Sequence, residues 1–220
     1  MKAREEHIAI SKSARLFLLG ELATASDVWI VCHGYGQLAS TFVQNFECIA
    51  STTQLVVAPE GLHRYYIDPM SVPARERRVG ATWMTREDRD TDIADYVAYL
   101  DRVADDIKAR VSHTCRLHAL GFSQGSSTVF RWAVRGNTII DRLILWAGEV
   151  PADVDMQQAA LTLADTNITL VSGASDKLMP QRSMQVQQQR LEAAGIPYTT
   201  EQHGGGHEMN SELLQRLASI

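Results

Sequence analysis

Short apolar runs alternate along this chain with longer segments of helical periodicity, and this alternation constrains the fold more than any other feature. The clearest helical pattern covers residues 92–110, where apolar residues recur every three or four positions. Residues 28–32 form a compact apolar run that stops at His33-Gly34, which is typical of a buried parallel strand. Strands that alternate with helices predict an α/β fold, with a mostly parallel sheet covered by helices on both faces.

The other segments continue this alternation without a linker, repeat or low-complexity stretch, so one domain is predicted over residues 1–220. Further strands are predicted at residues 55–58, 115–120, 142–146, 168–171 and 198–202, and helices at 40–50, 126–135, 181–194 and 209–217. Residues 7–10 and 15–19 are predicted to form a hairpin. Residues 61–89 fit neither period, and a loop of this length inside a compact domain is more often functional than filler.

Composition excludes several classes of function. The chain is 45% hydrophobic and 21% charged, as in an ordinary globular domain. Its 21 basic and 26 acidic residues leave a net charge of -5, and the short cluster of Arg75, Arg77 and Arg78 has acidic neighbours. A nucleic-acid partner is therefore not expected.

The three cysteines, Cys32, Cys48 and Cys115, are widely spaced and show no metal-ligand spacing, so neither a disulfide framework nor a zinc site is predicted. The charged start MKAREEHIAI lacks the apolar region of a secretory signal. No apolar run approaches the ~20 residues that span a bilayer. The expectation is a cytoplasmic protein with no membrane span; the sequence leaves its oligomeric state open.

The motif GFSQG, residues 121–125, lies between a predicted strand and a predicted helix. G-x-S-x-G in this context is typical of a nucleophile elbow, a sharp turn that exposes a serine, here Ser123. The turn holds the serine in a strained backbone conformation that costs ~1–3 kcal/mol. Glycines at both flanks remove Cβ atoms that would collide as strand and helix approach each other. A turn with a helix-capping serine is the simpler alternative.

A serine hydroxyl needs a positioned base to act as a nucleophile, and in this kind of fold the acid and then the histidine follow the serine along the chain. Asp176, just beyond a predicted strand, and His207, after three successive glycines, satisfy that order. Glu149 is a rival acid and His203 a rival base. The remaining candidates, His7, His63, His113 and His118, look like surface or strand residues without partners.

Acyl transfer also requires N–H donors directed at the developing oxyanion. The backbone N–H of Gln124 follows the serine and opens the helix, whose dipole assists it. The glycine-rich segment HGYGQ, residues 33–37, follows an earlier central strand, and its Tyr35 N–H is predicted to be the second donor. The alternative is a glycine-rich turn with no role in catalysis.

These motifs resemble the phospholipase/carboxylesterase group of the α/β-hydrolase superfamily, which includes acyl-protein thioesterases and small bacterial carboxylesterases. The resemblance covers nearly the whole chain and rests on HGYGQ, Trp83, GFSQG, SGASDKLMP and GGGHE. Gln37 stands where the group usually has an acidic residue, Ser126 where it has a second glycine, and Ser172 where it has a histidine. Met179 replaces the usual valine, and threonine follows Trp83-Met84 in place of the usual aromatic-acidic pattern.

The resemblance implies a three-layer α/β-hydrolase fold with a sheet of about eight strands and no large cap domain. It also implies a serine hydrolase that cleaves carboxylic esters or thioesters through an acyl-enzyme on Ser123, without a metal or organic cofactor. Trp83 and Met84, with the loop 61–89, are predicted to line the acyl pocket, although a core position suits Trp83 equally well. The alternatives are hydrolysis of lysophospholipids, lactones or peptides by the same triad, or a non-catalytic protein that binds an acyl ligand.

Overall fold

A seven-stranded sheet forms the centre of the computed structural model, which describes residues 2–111 and 114–219. Its spatial order is β1-β3-β2-β6-β7-β8-β9; β1 pairs antiparallel with β3, and every other neighbouring pair is parallel. The strands are β1 (Leu16–Leu19), β2 (Asp27–Cys32), β3 (Gln54–Pro59), β6 (Arg116–Phe122), β7 (Arg142–Trp146), β8 (Asn167–Gly173) and β9 (Thr199–His203). The mostly parallel sheet is as predicted, with seven strands in place of about eight.

Helices cover both faces of this sheet, which confirms the predicted layers. They are α1 (Ala39–Phe42), continued by a 3-10 helix (Val43–Phe46), then α2 (Arg89–Arg110), α3 (Gln124–Arg135), α4 (Met156–Thr162), α5 (Gln181–Ala193) and α6 (Ser211–Ala218). One core lies under α2, α3, α4 and α5, and a second lies under α1, the 3-10 helix and α6. Large side chains such as Trp29, Trp132 and Trp146 are almost completely buried, and each contributes roughly 1.5–3 kcal/mol or more.

Parallel pairing brings the carboxyl ends of the strands to one edge of the sheet. β2 ends directly before His33, β6 directly before Ser123, and β8 and β9 end shortly before Asp176 and His207. This edge is where ligands bind in open α/β sheets. The topology alone therefore brings the four predicted site segments together.

The amino-terminal hairpin predicted from residues 7–10 and 15–19 is wrong. Residues 7–10 form no strand, and β1 pairs with β3 instead. Ile8 and Ile10 remain 85% and 78% exposed, so their alternation buries no apolar surface. The segment is attached by polar contacts, such as His7 Nε2 to Asp88 Oδ2 at 2.9 Å.

Two other segments differ from prediction. The helix expected at residues 40–50 stops after two short turns at Phe46, and the short helix α4 has no counterpart in the prediction. The segment 61–89 is not an irregular loop, because it contains the antiparallel ribbon β4 (His63–Tyr66) and β5 (Val79–Thr82). Among the described residues, none of the helices is long and apolar enough to cross a bilayer.

Candidate active site

Ser123 occupies the sharp turn between β6 and α3. Its backbone angles, φ 55° and ψ -117°, lie outside the regions that non-glycine residues favour. Its N–H donates to Trp146 O at 2.8 Å, and its carbonyl accepts from Ser126 N at 3.0 Å. These bonds help to hold a conformation that costs of order 1–3 kcal/mol. The strained turn predicted for the elbow is therefore present.

The two glycines of the motif allow close backbone contacts, as predicted. A Cβ on Gly121 would lie 2.1 Å from Gly125 O, and a Cβ on Gly125 would lie 2.0 Å from Cys32 O. Neither clash could be relieved by rotating a side chain, because both contacts are with the backbone. Glycine is therefore required at both positions for α3 to pack against β6 and β2.

Asp176 and His207 meet at the ends of β8 and β9. Asp176 Oδ2 lies 2.8 Å from His207 Nδ1, and Asp176 Oδ1 accepts the N–H groups of Leu178 and Met179, each at 2.8 Å. Burial by itself would raise the pKa of Asp176, but the Met179 N–H and His207 outweigh burial and lower it. The carboxylate thus stays ionised, and its Oδ2 is placed to accept a proton from His207 Nδ1.

The loops that carry this pair are also tied to each other. Ala174 N donates to His203 O at 2.8 Å, and Ser175 N donates to Gly205 O at 2.9 Å. His207 packs its ring on Phe122, the neighbour of the serine, with ring centroids 4.9 Å apart. No hydrogen bond joins Ser123 to His207 among the described residues; such catalytic contacts often tighten only in the substrate complex.

The HGYGQ segment lies directly against Ser123. A Cβ on Gly34 would lie 3.2 Å from Ser123 Cβ, and Gly34 N donates to Gln37 Oε1 at 2.8 Å. Within the described part of the chain, Tyr35 N–H has no acceptor. Gln124 N–H opens α3, where the first N–H groups have no partner inside the helix. Both predicted oxyanion donors are therefore unengaged.

His33 supports this segment from inside the protein. Its side chain is completely buried, with Nδ1 2.8 Å from Gly34 O and Nε2 accepting Gly61 N–H at 3.0 Å. Burial lowers the pKa of His33, so the ring is neutral with its proton on Nδ1. The role of His33 is to shape the loop.

Glu149, the rival acid, and His203, the rival base, are not part of the Asp176–His207 pair. The Glu149 side chain is exposed and forms no hydrogen bond with any described residue. His203 is buried; its Nδ1 accepts Gly205 N–H at 3.1 Å, and no partner for its Nε2 occurs in the described residues. Asp176 contacts His207, not His203.

Three histidines that were predicted to lack partners have carboxylates instead. His7 lies 2.9 Å from Asp88, His63 lies 2.9 Å from Asp92, and His118 lies 2.8 Å from Asp27. His113 lies outside the described residues. These partners are 29 to 91 positions away in sequence, so no local pattern could have predicted them.

Trp83 and Met84 differ in their surroundings. Trp83 is completely buried, and its Nε1 donates to His33 O at 2.9 Å. Met84 is partly buried, and its carbonyl accepts Gln124 Nε2 at 3.0 Å. Trp83 thus occupies the core position that was its alternative, while Met84 adjoins the elbow. The side-chain contacts of Gln124 were not predicted, because no motif specifies them.

Comparison with known proteins agrees with this architecture. A model of the Phospholipase/Carboxylesterase family matches residues 21–220. No curated protein sequence matches the chain significantly. Similar solved structures include a carboxylesterase from Mesorhizobium loti (17% identity, TM-score 0.68, covering 94% of this chain and 99% of that chain). They also include acyl-protein thioesterase 2 from Zea mays, with 16% identity and a TM-score of 0.65, and esterase PE8, with 19% identity and a TM-score of 0.64. Each of these two matches covers 94% of this chain and 97% of the other chain. The chain has the α/β-hydrolase fold and belongs to the phospholipase/carboxylesterase family of hydrolases.

Proposed function

We propose that this protein is a serine hydrolase that cleaves carboxylic esters or thioesters through an acyl-enzyme on Ser123. The observation that carries the proposal is the buried carboxylate of Asp176, which lies 2.8 Å from His207 Nδ1 at the sheet edge where the partly exposed Ser123 lies on its strained turn. In the proposed tautomer the Nδ1 proton of His207 is donated to Asp176, and the lone pair of Nε2 is available to Ser123. Such a nitrogen is the base that a serine nucleophile requires.

In the acylation step, Ser123 Oγ attacks the acyl carbon while His207 Nε2 takes the hydroxyl proton. The carbonyl oxygen becomes an oxyanion and accepts hydrogen bonds from the N–H groups of Tyr35 and Gln124. The bond to the leaving group then breaks, and His207 returns the proton to the departing alkoxide or thiolate. Asp176 holds the imidazole in its tautomer and stabilises the transient imidazolium.

Deacylation repeats these steps with water. His207 Nε2 takes a proton from the water as its oxygen attacks the acyl carbon, and Ser123 Oγ leaves with that proton. The released product is a carboxylic acid. No residue outside this set has to change its charge, and the proposed reaction requires no metal or organic cofactor.

Met84 is the better supported of the two proposed pocket residues, because it is partly exposed beside the elbow. Trp83 would act only indirectly, through the hydrogen bond that its Nε1 donates to the His33 carbonyl. The free thiols of Cys32, Cys48 and Cys115 are compatible with the proposed cytoplasmic location. Small esters or thioesters, the compounds on which relatives named carboxylesterase and thioesterase act, are the proposed substrates.

The decisive experiment compares wild-type protein with Ser123→Ala on p-nitrophenyl esters, matched acyl thioesters and matched amides. We expect hydrolysis by the wild type and a loss of at least about 10³-fold in kcat in the variant. A fluorophosphonate probe should label the wild type at Ser123 and leave the variant unlabelled. Full turnover by Ser123→Ala would refute the mechanism. An unlabelled, inactive wild type would favour the non-catalytic acyl-binding alternative, and faster cleavage of lysophospholipids, lactones or peptides would redirect the substrate assignment.

A further inference from the structure

We propose that the side chain of Gln124 is a positioning residue, which fixes the spacing of the two oxyanion donors by binding the segment 80–84. This segment, called the brace below, comprises the end of β5 and the two residues after it. The inference rests on the proposed function, because it assigns a role within the same active site. It concerns the Gln124 carboxamide, which is distinct from the backbone N–H that contacts the oxyanion.

The Gln124 carboxamide makes three kinds of contact with the brace. Its Oε1 accepts the Thr82 hydroxyl at 3.0 Å and the Trp83 N–H at 3.3 Å, and its Nε2 donates to Met84 O at 3.0 Å. The Thr82 hydroxyl also lies 2.8 Å from Met84 O and can donate to only one of the two oxygens at a time. The first residue of α3 is thereby fixed to the brace through both ends of its amide group.

The HGYGQ segment is attached to the same brace. Gly36 N donates to Ala81 O at 2.9 Å, Ala81 N donates to Gln37 O at 3.1 Å, and Trp83 Nε1 donates to His33 O at 2.9 Å. A Cβ on Gly80 would lie only 2.4 Å from Gly36 O, so the two backbones touch. Tyr35 thus lies between residues whose positions are set by the brace.

These contacts attach the segments that carry the two donors to the same brace. Tyr35 N–H follows β2, and Gln124 N–H begins α3 after β6, so they belong to different parts of the chain. The Gln124 carboxamide joins α3 to the brace, and the Gly36–Ala81 and Trp83–His33 bonds join the HGYGQ segment to it. Preorganised donors stabilise an oxyanion only when they already lie at its position, so this connection bears on the transition state more than on substrate binding.

The ribbon β4–β5 is therefore a fixed support of the oxyanion site. The buried Ala81, Thr82 and Trp83 form its inner end. A hinged lid over the serine would need this end to separate from α3 and from HGYGQ, which would break the bonds described above.

The test uses Gln124→Met, which keeps the length of the side chain and removes every hydrogen bond to the brace. The matched control is Gln187→Met in α5. Gln187 also uses both ends of its amide group, because its Oε1 accepts Val150 N–H at 3.0 Å and its Nε2 donates to Ser183 O at 3.1 Å. Both variants lose comparable hydrogen bonds, and only one of them lies at the oxyanion donors.

Each variant is assayed with a p-nitrophenyl ester and with a trifluoromethyl ketone, which forms a tetrahedral oxyanion adduct with an active serine. For Gln124→Met we expect kcat to fall about 10- to 100-fold with KM within threefold, since a misplacement near 1 Å has effects of this size. The Kd for the ketone should rise by the same factor. Gln187→Met should keep kcat and the ketone Kd within twofold of the wild-type values, even if its melting temperature falls as much as that of Gln124→Met.

Wild-type kcat and ketone affinity in a folded Gln124→Met protein would overturn the inference, as would equal losses of kcat in both glutamine variants. If Gln124→Met does not fold, Gln124→Glu replaces it, because a glutamate keeps the oxygen that accepts from Thr82 and Trp83 but replaces the donor to Met84 by a charged oxygen that repels the Met84 carbonyl. An unchanged kcat in that variant would also overturn the inference. Failure of the proposed function is distinguishable, because it would appear as an inactive wild type or as an active Ser123→Ala variant.

Discussion

The Asp176 carboxylate and the His207 imidazole are 31 residues apart in the chain and are joined by a hydrogen bond of 2.8 Å. Two backbone N–H groups bind the other carboxylate oxygen. The carboxylate therefore cannot rotate freely, and the face that it presents to the histidine is set by the turn after β8. We therefore expect the loop at residues 174–180, between β8 and α5, to control the tautomer of the proposed base.

Asp176→Asn should test this control. An amide at this position can keep its oxygen on the two N–H groups and then presents NH₂ to His207, which favours the wrong imidazole tautomer. We expect kcat for ester hydrolysis to fall about 10³- to 10⁴-fold, as for the equivalent change in a serine protease triad. The exposed Asp165→Asn serves as the control and should keep its activity. Retention of more than a tenth of wild-type kcat by Asp176→Asn would remove Asp176 from the mechanism.

Asp153 should make a large, pH-dependent contribution to stability. It lies 2.7 Å from Arg89, 2.7 Å from the buried Arg131 and 2.8 Å from Arg135. Burial by itself would raise the pKa of Asp153, but hydrogen bonds from Arg131 and Arg89 outweigh burial and hold it well below its usual value. Asp153→Asn leaves a buried guanidinium without its counter-charge and should cost about 3 kcal/mol of unfolding free energy at pH 7.

The sign of the pH dependence follows from the lowered pKa. The Asp153 contribution is complete above the pKa of an unfolded aspartate, about 3.9, and is lost as the pH falls from there toward the folded value. Urea unfolding at pH 7 and pH 3.5 should therefore show a smaller difference between wild type and Asp153→Asn at the lower pH. A difference that grows on acidification would contradict this assignment.

Gly125→Ala should destabilise the protein through steric overlap. The new Cβ would lie 2.0 Å from Cys32 O, a backbone atom that cannot move away without separating α3 from β2. Overpacking of this kind costs about 1–3 kcal/mol, equivalent to a fall of roughly 2–12 °C in Tm for a chain of this size. Gly204→Ala is the matched control, because a Cβ there meets no atom within 4 Å. Equal melting temperatures for the two variants would show that the elbow tolerates a side chain.

His33→Leu should lower activity without changing its pH dependence. The substitution leaves Gly61 N–H and Gly34 O without their partner, at about 1–3 kcal/mol for each buried group, and loosens the segment that carries the Tyr35 donor. Because burial lowers the pKa of His33, the ring is neutral at pH 7 and above. Both of its nitrogens are bound to backbone groups inside the protein, so we expect it to take no part in proton transfer. The ratio of wild-type to variant kcat should be the same at pH 7 and pH 9. A ratio that changes across this range would indicate an acid–base role.

Local patterns predicted most of the scaffold. The predicted bounds of β7 match the observed strand. The predicted bounds of β6, α3, α5 and β9 differ from the observed ones by no more than two residues at either end. In β6, β7 and α3 a continuous apolar run or stripe is buried, and periodicity detects such a pattern. β9 has only His203 buried, so burial does not explain its agreement with the prediction. Residues 7–10 show alternation without burial, and α4 is short with a single buried residue, Ala159. Both fall where periodicity carries little information.

The sequence by itself determined the placement of Ser123 on a turn between a strand and a helix, because only glycines at residues 121 and 125 permit that close contact. It also determined that Asp176 and His207 follow strands whose carboxyl ends share one edge of the sheet. Only the tertiary structure decided which acid meets which histidine, that Trp83 is buried, and that Gln124 binds Met84, 40 residues away. The physical reason is that periodicity and turn geometry depend on residues that are near in sequence, whereas the burial of a single side chain and the choice of its hydrogen-bond partner depend on how distant segments are aligned when they pack.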